Sequence, residues 1–351
     1  GKTCRMKKTS EAERPDKPLI IPIFIMNAGC PQHCVFCNEK IAAGNYPAAV
    51  SRRLFEREVD SYLRWNKDKR RRVEIAFYGG NFTGLPQDDQ NRLLSWANVY
   101  MAKGAVESIR ISTRPDYIVR DQLEYLYGQG VRTVEVGAQS FSDEVLRHAG
   151  RGHNAQAIER ALPLLKAHGF KTGLHLMAGL PKETKESFLQ GLCRTVEIRP
   201  DTARIHPVLV FKDTPLADEY LRGRYQPLDL AEAVDWCRLA WEKLTPAGIR
   251  IIRFGLQMTL EMGQPDNVLA GPLHPSLGSL VYSAIFFQAA LQLISEHAGE
   301  DRRWRFQVAA RDMAHFRGPG NANIQAIKKL YPGAEISIES NRKDHSGQLS
   351  I

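Results

Sequence analysis

The chain has 351 residues, 43% hydrophobic and 25% charged, and a formal net charge of +9. That make-up is ordinary for a soluble globular protein and leaves room for one large α/β domain plus an appendage. Six cysteines in so long a chain are no disulfide framework, and no apolar run approaches the ~18 residues of a membrane span.

Gly1–Lys8 is basic with no apolar core behind it, so it does not read as a secretory signal. Residues 1–18 are polar and read as irregular. Ile20–Ile25 is an apolar run of strand length. It runs into Gly29-Cys30-Pro31-Gln32-His33-Cys34-Val35-Phe36-Cys37-Asn38, where three cysteines stand in the spacing C-x3-C-x2-C. Thiolates select zinc, Cu(I) or iron–sulfur clusters. A closed zinc site wants four ligands, usually as two separated pairs. Here Cys4, Cys193 and Cys237 are isolated, and His33 would have to double back between its neighbours. Three thiolates suit a [4Fe–4S] cluster with one iron left open, since such clusters otherwise take four cysteines. Three buried structural cysteines, or a zinc clip, are the plainer alternatives. A thiol-rich loop of this kind belongs in a reducing compartment, the cytoplasm.

The pattern then alternates. Helices are expected at Ala48–Trp65, Gln87–Ala102, Arg120–Tyr127, Ala155–His168 and Lys182–Glu197. Strands are expected at Val73–Tyr78, Ser108–Thr113, Thr133–Gly137, Lys171–Met177 and Thr202–Val210. Such alternation implies parallel pairing with right-handed crossovers. No GxGxxG follows the first strand, which weighs against a dinucleotide-binding fold. Six units closing partly into a (β/α)6 barrel would set every strand end at one mouth, the face where such barrels do chemistry. The unusual residues do lie at strand ends. After Val210 come a helix at Leu230–Leu244, a strand at Ile249–Phe254, a loop over the mouth at Gly255–Ser279 and an apolar helix at Leu280–Glu296. The domain reading is an irregular segment 1–18, a barrel 19–255, a covering loop and helix 256–300, and a small α/β tail 301–351.

Charge is uneven: Ser51–Arg72 carries nine lysines and arginines against four acids, densest at Lys67–Arg72. A solvated helix end and a polyanion-binding patch are both open readings. Lys212 follows the sixth strand and Arg253 ends the next. Both should face the mouth, where they are better placed than the Lys67–Arg72 run to touch a nucleic acid.

C-x3-C-x2-C with Phe36 before its last cysteine resembles the cluster loop of the radical S-adenosylmethionine (SAM) enzymes. The resemblance implies a partial radical SAM barrel with a [4Fe–4S] cluster on Cys30, Cys34 and Cys37. It also implies SAM on the open iron, cleavage to a 5′-deoxyadenosyl radical, and an external electron donor of flavodoxin or ferredoxin type. Cofactor contacts would come from Phe36, from the Gly79-Gly80-Asn81 segment that stands where the family has Gly-Gly-Glu, and from Thr113, Gln139, Arg151 and His175. Arg151 would pair with the SAM carboxylate; its plain alternative is a surface cation. His175 could equally be a hydrogen-bonded core residue.

Phe77–Gly84, Ser112–Asp116, Val134–Ser140 and Met177–Pro181 occur in an order similar to the branch that contains the catalytic subunit of Elongator, over about residues 18–260. That implies RNA, and tRNA in particular, as substrate. Acetyl-CoA chemistry is not implied, because the acetyl-CoA loop pattern is missing. Other readings are a radical SAM enzyme acting on a small molecule or peptide, and an iron–sulfur protein that binds nucleic acid or carries electrons without cleaving SAM. Gly318-Pro319-Gly320-Asn321 resembles the loop of a KH module; its plain alternative is a turn with Asn321 capping the next helix.

Overall fold

The computed structural model describes residues 3–5, 18–31, 33–44, 46–47, 49–68, 71–296, 302–341 and 348–350. Seven strands make one parallel sheet: Leu19–Phe24 (β1), Val73–Tyr78 (β2), Ser108–Thr113 (β3), Val131–Gln139 (β4), Lys171–Ala178 (β5), Thr202–Pro207 (β6) and Arg250–Phe254 (β7). They lie side by side in chain order, with β1 and β7 at the two edges, so the curled sheet is a barrel left open. Parallel neighbours need crossovers. These are the helices Arg52–Trp65 (α1), Gln87–Ala102 (α2), Arg120–Gly128 (α3), Ala155–Ala167 (α4), Lys185–Ile198 (α5) and Leu230–Leu244 (α6).

Side chains alternate across each strand. One face carries Ile21, Ile23, Ile75, Phe77, Ile109, Ile111, Val134, Val136, Leu174, Leu176, Ala203 and Ile205, all within the main apolar core. The helices bring Phe55, Val59, Leu93, Leu94, Ile158 and Leu162 to the same core. The other, inner face carries Glu74, Tyr78, Arg110, Glu135, His175 and Arg204, which bond to one another.

Local chemistry sets the helix starts. Ser51 accepts a bond from Leu54 N at α1, and capping boxes open α5 (Thr184 with Ser187) and α6 (Asp229 with Glu232). Two expected boundaries move accordingly: α1 begins at Arg52 rather than Ala48, which lies outside the described residues, and α5 begins at Lys185 rather than Lys182.

Three larger differences follow from tertiary pairing. β7 is a seventh strand of the sheet, because α6 acts as a further crossover and delivers it beside β6. The sixth strand stops at Pro207; Val210–Phe211 pairs antiparallel with Val268–Ala270 of the covering loop instead. Short helices at Glu39–Ala42, Asp143–His148 and Pro215–Leu221 were not foreseen.

The helix Leu277–Glu296 (α7) corrects another expectation, since by length and composition it could cross a membrane. It is apolar all round because it serves two cores. Leu277, Val281 and Ile285 join the barrel core, while Phe286, Ala290, Leu293 and Ile294 join a second core with Trp304, Phe306 and Phe316. That second core lies under a four-stranded sheet of Thr3–Arg5, Gln348–Ser350, Arg303–Ala309 and Glu335–Asn341, in that order. Residues 3–5 are therefore strand, not irregular chain; the rest of the expected irregular segment up to residue 17 lies outside the described residues.

Gly318–Asn321 turns between helices Met313–Arg317 and Ala322–Leu330. Asn321 does not cap by its side chain: its backbone is left-handed at φ +65°, and the tie is made by Asn323, whose amide donates to Ser283 O and Phe316 O.

Candidate cluster and cofactor site

The cysteine loop leaves β1 at the strand ends and is pinned on three sides. Asn27 N donates to Gly79 O and Asn81 N to Ala28 O, which tie it to the end of β2. Val35 N donates to Ala149 O, behind the Asp143–His148 helix, and Leu216 N donates to Val35 O. Asn38 caps the short helix after Cys37 and donates to Lys212 O over 2.9 Å. Close packing needs glycine at Gly29, where φ is +73° and a Cβ would come 2.2 Å from Asn81 O. At Gly80 a Cβ would come 2.6 Å from Ala28 O.

Cys30, Cys34 and Cys37 are free thiols on this loop. Burial pushes Cys30 and Cys37 above the usual thiol range, and the neighbouring thiols add to it; Arg151 pulls both down, and Arg114 also pulls down Cys30. Among the described residues, no three His, Cys, Asp or Glu side chains converge on a single-ion site.

Arg151 is no surface cation: it is 6% exposed. Its guanidinium donates to Cys34 Sγ over 3.2 Å and to Gly137 O over 2.5 Å, while its buried Nε has no partner. An orphaned guanidinium nitrogen beside the three-cysteine loop fits an anionic group of a bound cofactor. Gln139 closes β4 with a left-handed backbone at φ +71°, where the β4–β5 register shifts. Held strain of this kind clusters at ligand sites.

Asn81 and Thr113 come together, but their polar side-chain atoms face inward. The fully buried Asn81 donates to Gly29 O over 2.9 Å; its carbonyl accepts from Thr113 Oγ1 over 2.7 Å and from Arg114 N over 3.0 Å. The Thr113 hydroxyl also meets Thr83 Oγ1. Phe36 packs against the apolar cluster of Val145, Leu180 and Val208. His175 sits one strand over from Gly137, with its Nε2 2.5 Å from Glu135.

Glu135 is the hub of the inner face. It is completely buried and receives Arg110, Arg204, His175 and Tyr78. Its carboxyl is held well below the usual range: burial would raise it, but Arg204, His175 and Arg110 outweigh that. Glu74 takes the other side of Arg110. His206 is pushed down to about 3 by burial and by the charges of His175 and Arg204. Arg253 pairs with Arg204 in register at the β6–β7 edge and bonds to Gln257. Lys212 is exposed and lines an open cavity of about 570 Å³ with Asp213, Asp218, Leu221 and Asp266. Lys212 N donates to Asn267 O and Thr259 Oγ1 to Ile41 O, so the Gly255–Ser279 loop packs against the cluster loop.

The sequence did not single out Glu39, Asn27, Arg114, His153, Glu135 or Arg204. Glu39 lies 3.7 Å from Cys37 Sγ, and burial raises its carboxyl to about 7. His153 is held down to about 4 by burial and Arg151, with Nε2 unpartnered. One signal was available: Glu74, Arg110, Glu135 and Arg204 are ionisable residues at alternate positions of otherwise apolar strands.

A curled parallel sheet with a three-cysteine loop at its strand ends defines a radical SAM architecture. The Radical SAM superfamily model matches residues 24–191, and a Radical SAM C-terminal domain model matches residues 200–285. The chain belongs to the radical SAM superfamily and is an enzyme of that class; its cofactors are a [4Fe–4S] cluster and SAM. It is similar to the tRNA uridine(34) acetyltransferase of Methanocaldococcus infernus, 25% identical over 304 residues, 75% of this chain and 55% of that protein. It is also similar to human Elongator complex protein 3, 31% identical over 186 residues, 46% of this chain and 34% of that protein. The solved structure of the archaeal Methanocaldococcus infernus Elp3 with an N-terminal deletion shares the fold, with a TM-score of 0.59 at 21% identity over 78% of this chain and 63% of that one. The chain thus spans from a third to just over half of these curated relatives' length.

Proposed function

We propose that the chain reductively cleaves SAM to begin a radical modification of RNA, with tRNA as the substrate class. The observation that carries this reading is the similarity to a tRNA-modifying relative across three quarters of the chain; the superfamily model separately spans the cysteine loop.

In this reading Cys30, Cys34 and Cys37 hold the cluster. The backbone of Gly79 and Gly80, the side chains of Gln139 and Arg151, and the Phe36 ring line the space for SAM. Bound together, cluster and SAM supply one-electron chemistry and the capacity to take a hydrogen atom from the substrate. The protein contributes position and dryness. Asn81 and Thr113 fix the loop to the ends of β2 and β3, and Arg151 presents positive charge where an anionic cofactor group would lie. His175, oriented by Glu135, faces the cofactor from β5. Lys212 and Arg253 hold phosphates at the mouth, under the Gly255–Ser279 loop. The electron comes from an external donor of flavodoxin or ferredoxin type. Acetyl transfer is not carried over from relatives of which so small a share is aligned.

Filter binding of bulk tRNA across a salt series tests the substrate class. The paired variant Lys212→Ala/Arg253→Ala should weaken binding more than Arg71→Ala/Arg72→Ala. Each lost phosphate contact should flatten the log–log salt slope by about 0.7–0.9. Arg70 and Lys69 of the basic run lie outside the described residues. Wild-type protein with no salt-dependent tRNA binding would overturn the RNA reading and leave a small substrate under the covering loop.

A further inference from the structure

The helix pair of the tail carries cations that nothing within it neutralises. From Met313 to Leu330 there is no Asp or Glu, against Arg317, Lys328 and Lys329. All three are exposed, and among the described residues none of them enters an ion pair. Asp312, just ahead of the pair, is buried. An exposed, acid-free surface of this kind suits a polyanion.

The turn between the two helices is open on the same side. Pro319, Gly320 and Asn321 are exposed, and a Cβ on Gly320, at φ +58°, would meet nothing within 4 Å. Arg317 reaches over the turn, its Nη1 3.5 Å from Asn321 Oδ1. The base of the turn is fixed, because the Asn323 amide donates to Ser283 O and Phe316 O over 3.0 Å each. A glycine tip on a rigid base lets another backbone come closer than side chains would allow. The helix Ala322–Leu330 starts there without a side-chain cap, with the positive end of its dipole toward the tip.

Position ties this surface to the barrel mouth. Phe254 ends β7, next to Arg253, and its ring lies 6.0 Å from that of Tyr282 on α7. Tyr282 in turn lies 5.4 Å from the ring of His315, two residues before Arg317. β7 is an edge of the open sheet, so a chain leaving the mouth over Arg253 meets the tail next.

We propose that the Gly318–Asn321 turn, with Arg317, Lys328 and Lys329, holds the sugar–phosphate backbone of a single-stranded stretch of the substrate RNA where it leaves the mouth past β7. Close approach of a backbone to a glycine turn between helices suits a single strand better than a duplex. This rests on RNA as the substrate class.

The test is a salt series of binding to a short single-stranded oligoribonucleotide, to its duplex and to bulk tRNA. Aspartate tolerates a left-handed backbone, so Gly320→Asp sets a negative charge at the tip in open space. It should weaken the single strand about tenfold and the duplex less, at the iron content of wild type. Gly104→Asp is the same change at φ +68° in equally open space, in the turn that leads into the start of β3 on the opposite rim, and it should bind as wild type does. Arg317→Ala/Lys328→Ala/Lys329→Ala should flatten the single-strand log–log salt slope by about 0.7 for each lost contact. Wild-type affinity in Gly320→Asp, or equal losses on single strand and duplex, overturns the proposal; tRNA binding retained by wild type then leaves the RNA reading standing. If Gly320→Asp fails to fold, the triple variant decides, and an unchanged slope overturns the proposal. No salt-dependent tRNA binding by wild type removes the RNA reading itself, and this proposal with it.

Discussion

The two faces of the central sheet come from the same strands, yet they are built by opposite chemistry. On the helix-covered face Ile75, Phe77, Ile109, Ile111, Val134 and Leu174 are completely buried. Their neighbours one residue away, on the inner face, include Glu74, Arg110 and Glu135, nearly as well buried, and the partly exposed His175, all joined by charge-assisted bonds of 2.5–2.9 Å. The apolar face needs only shape and volume to stabilise the fold. The inner face needs every partner present, because one missing charge leaves another stranded in low dielectric. The difference teaches a division of labour. Stability is concentrated on the face that touches no ligand, and the charged face is free to hold side chains in fixed orientations below the mouth.

The largest expected effect lies on the apolar face. Phe77 packs between Phe55 and Phe82, with centroids 6.3 and 5.1 Å away. Phe77→Ala should cost about 3–5 kcal/mol in urea unfolding. The loss should be the same at pH 6 and pH 8, because no ionisable group is touched.

Next comes Glu135→Gln, expected to cost about 3 kcal/mol because Arg110 and Arg204 stay buried without their shared anion. Adding Arg204→Met should recover part of that loss, and a strictly additive double mutant would show that the inner face is not a coupled network. The sign of the pH dependence follows from the depressed carboxyl. Its contribution is fully present above the unfolded value of about 4.3 and drains away as pH falls below it.

A smaller effect belongs to His206, whose Nδ1 has no partner. Its folded pKa lies far below the ordinary value, so its stability is complete above about pH 6.5 and declines as pH drops from there. Wild type should lose about 1 kcal/mol per pH unit from this side chain between pH 6.5 and 5.5, allowing for partial exposure. His206→Phe should lack that slope. Parallel stability–pH curves for the two proteins would show that the ring is charged at no cost.

Much of the apolar face was legible in the sequence, because period-two runs such as Val73–Tyr78 and Ser108–Thr113 carry their own signature; both strands begin and end where the pattern placed them. The cysteine loop was legible for the same reason, a local spacing. What the chain did not disclose is non-local. Nothing in Arg250–Phe254 says that it continues the sheet beside β6, and nothing in Val210–Phe211 says that its partner lies some sixty residues on. Arg151 looks like any arginine in a glycine-rich loop until Cys34 and Gly137 close around it. Glu135 reads as a polar interruption of a strand until Arg110, Arg204 and His175 reach it from three other strands.

The measurement that bears most directly on the account is 5′-deoxyadenosine formed per chain, after anaerobic reconstitution and reduction with dithionite in the presence of SAM. The account predicts formation by wild type, stimulation by bulk tRNA, and retention of both by a variant in which Cys4, Cys193 and Cys237 are replaced by alanine. Cys34→Ala should abolish it. Formation by Cys34→Ala at the wild-type rate, or none by wild-type protein carrying a full cluster, would contradict the claim that this three-cysteine loop at the mouth of the barrel is a SAM-cleaving centre.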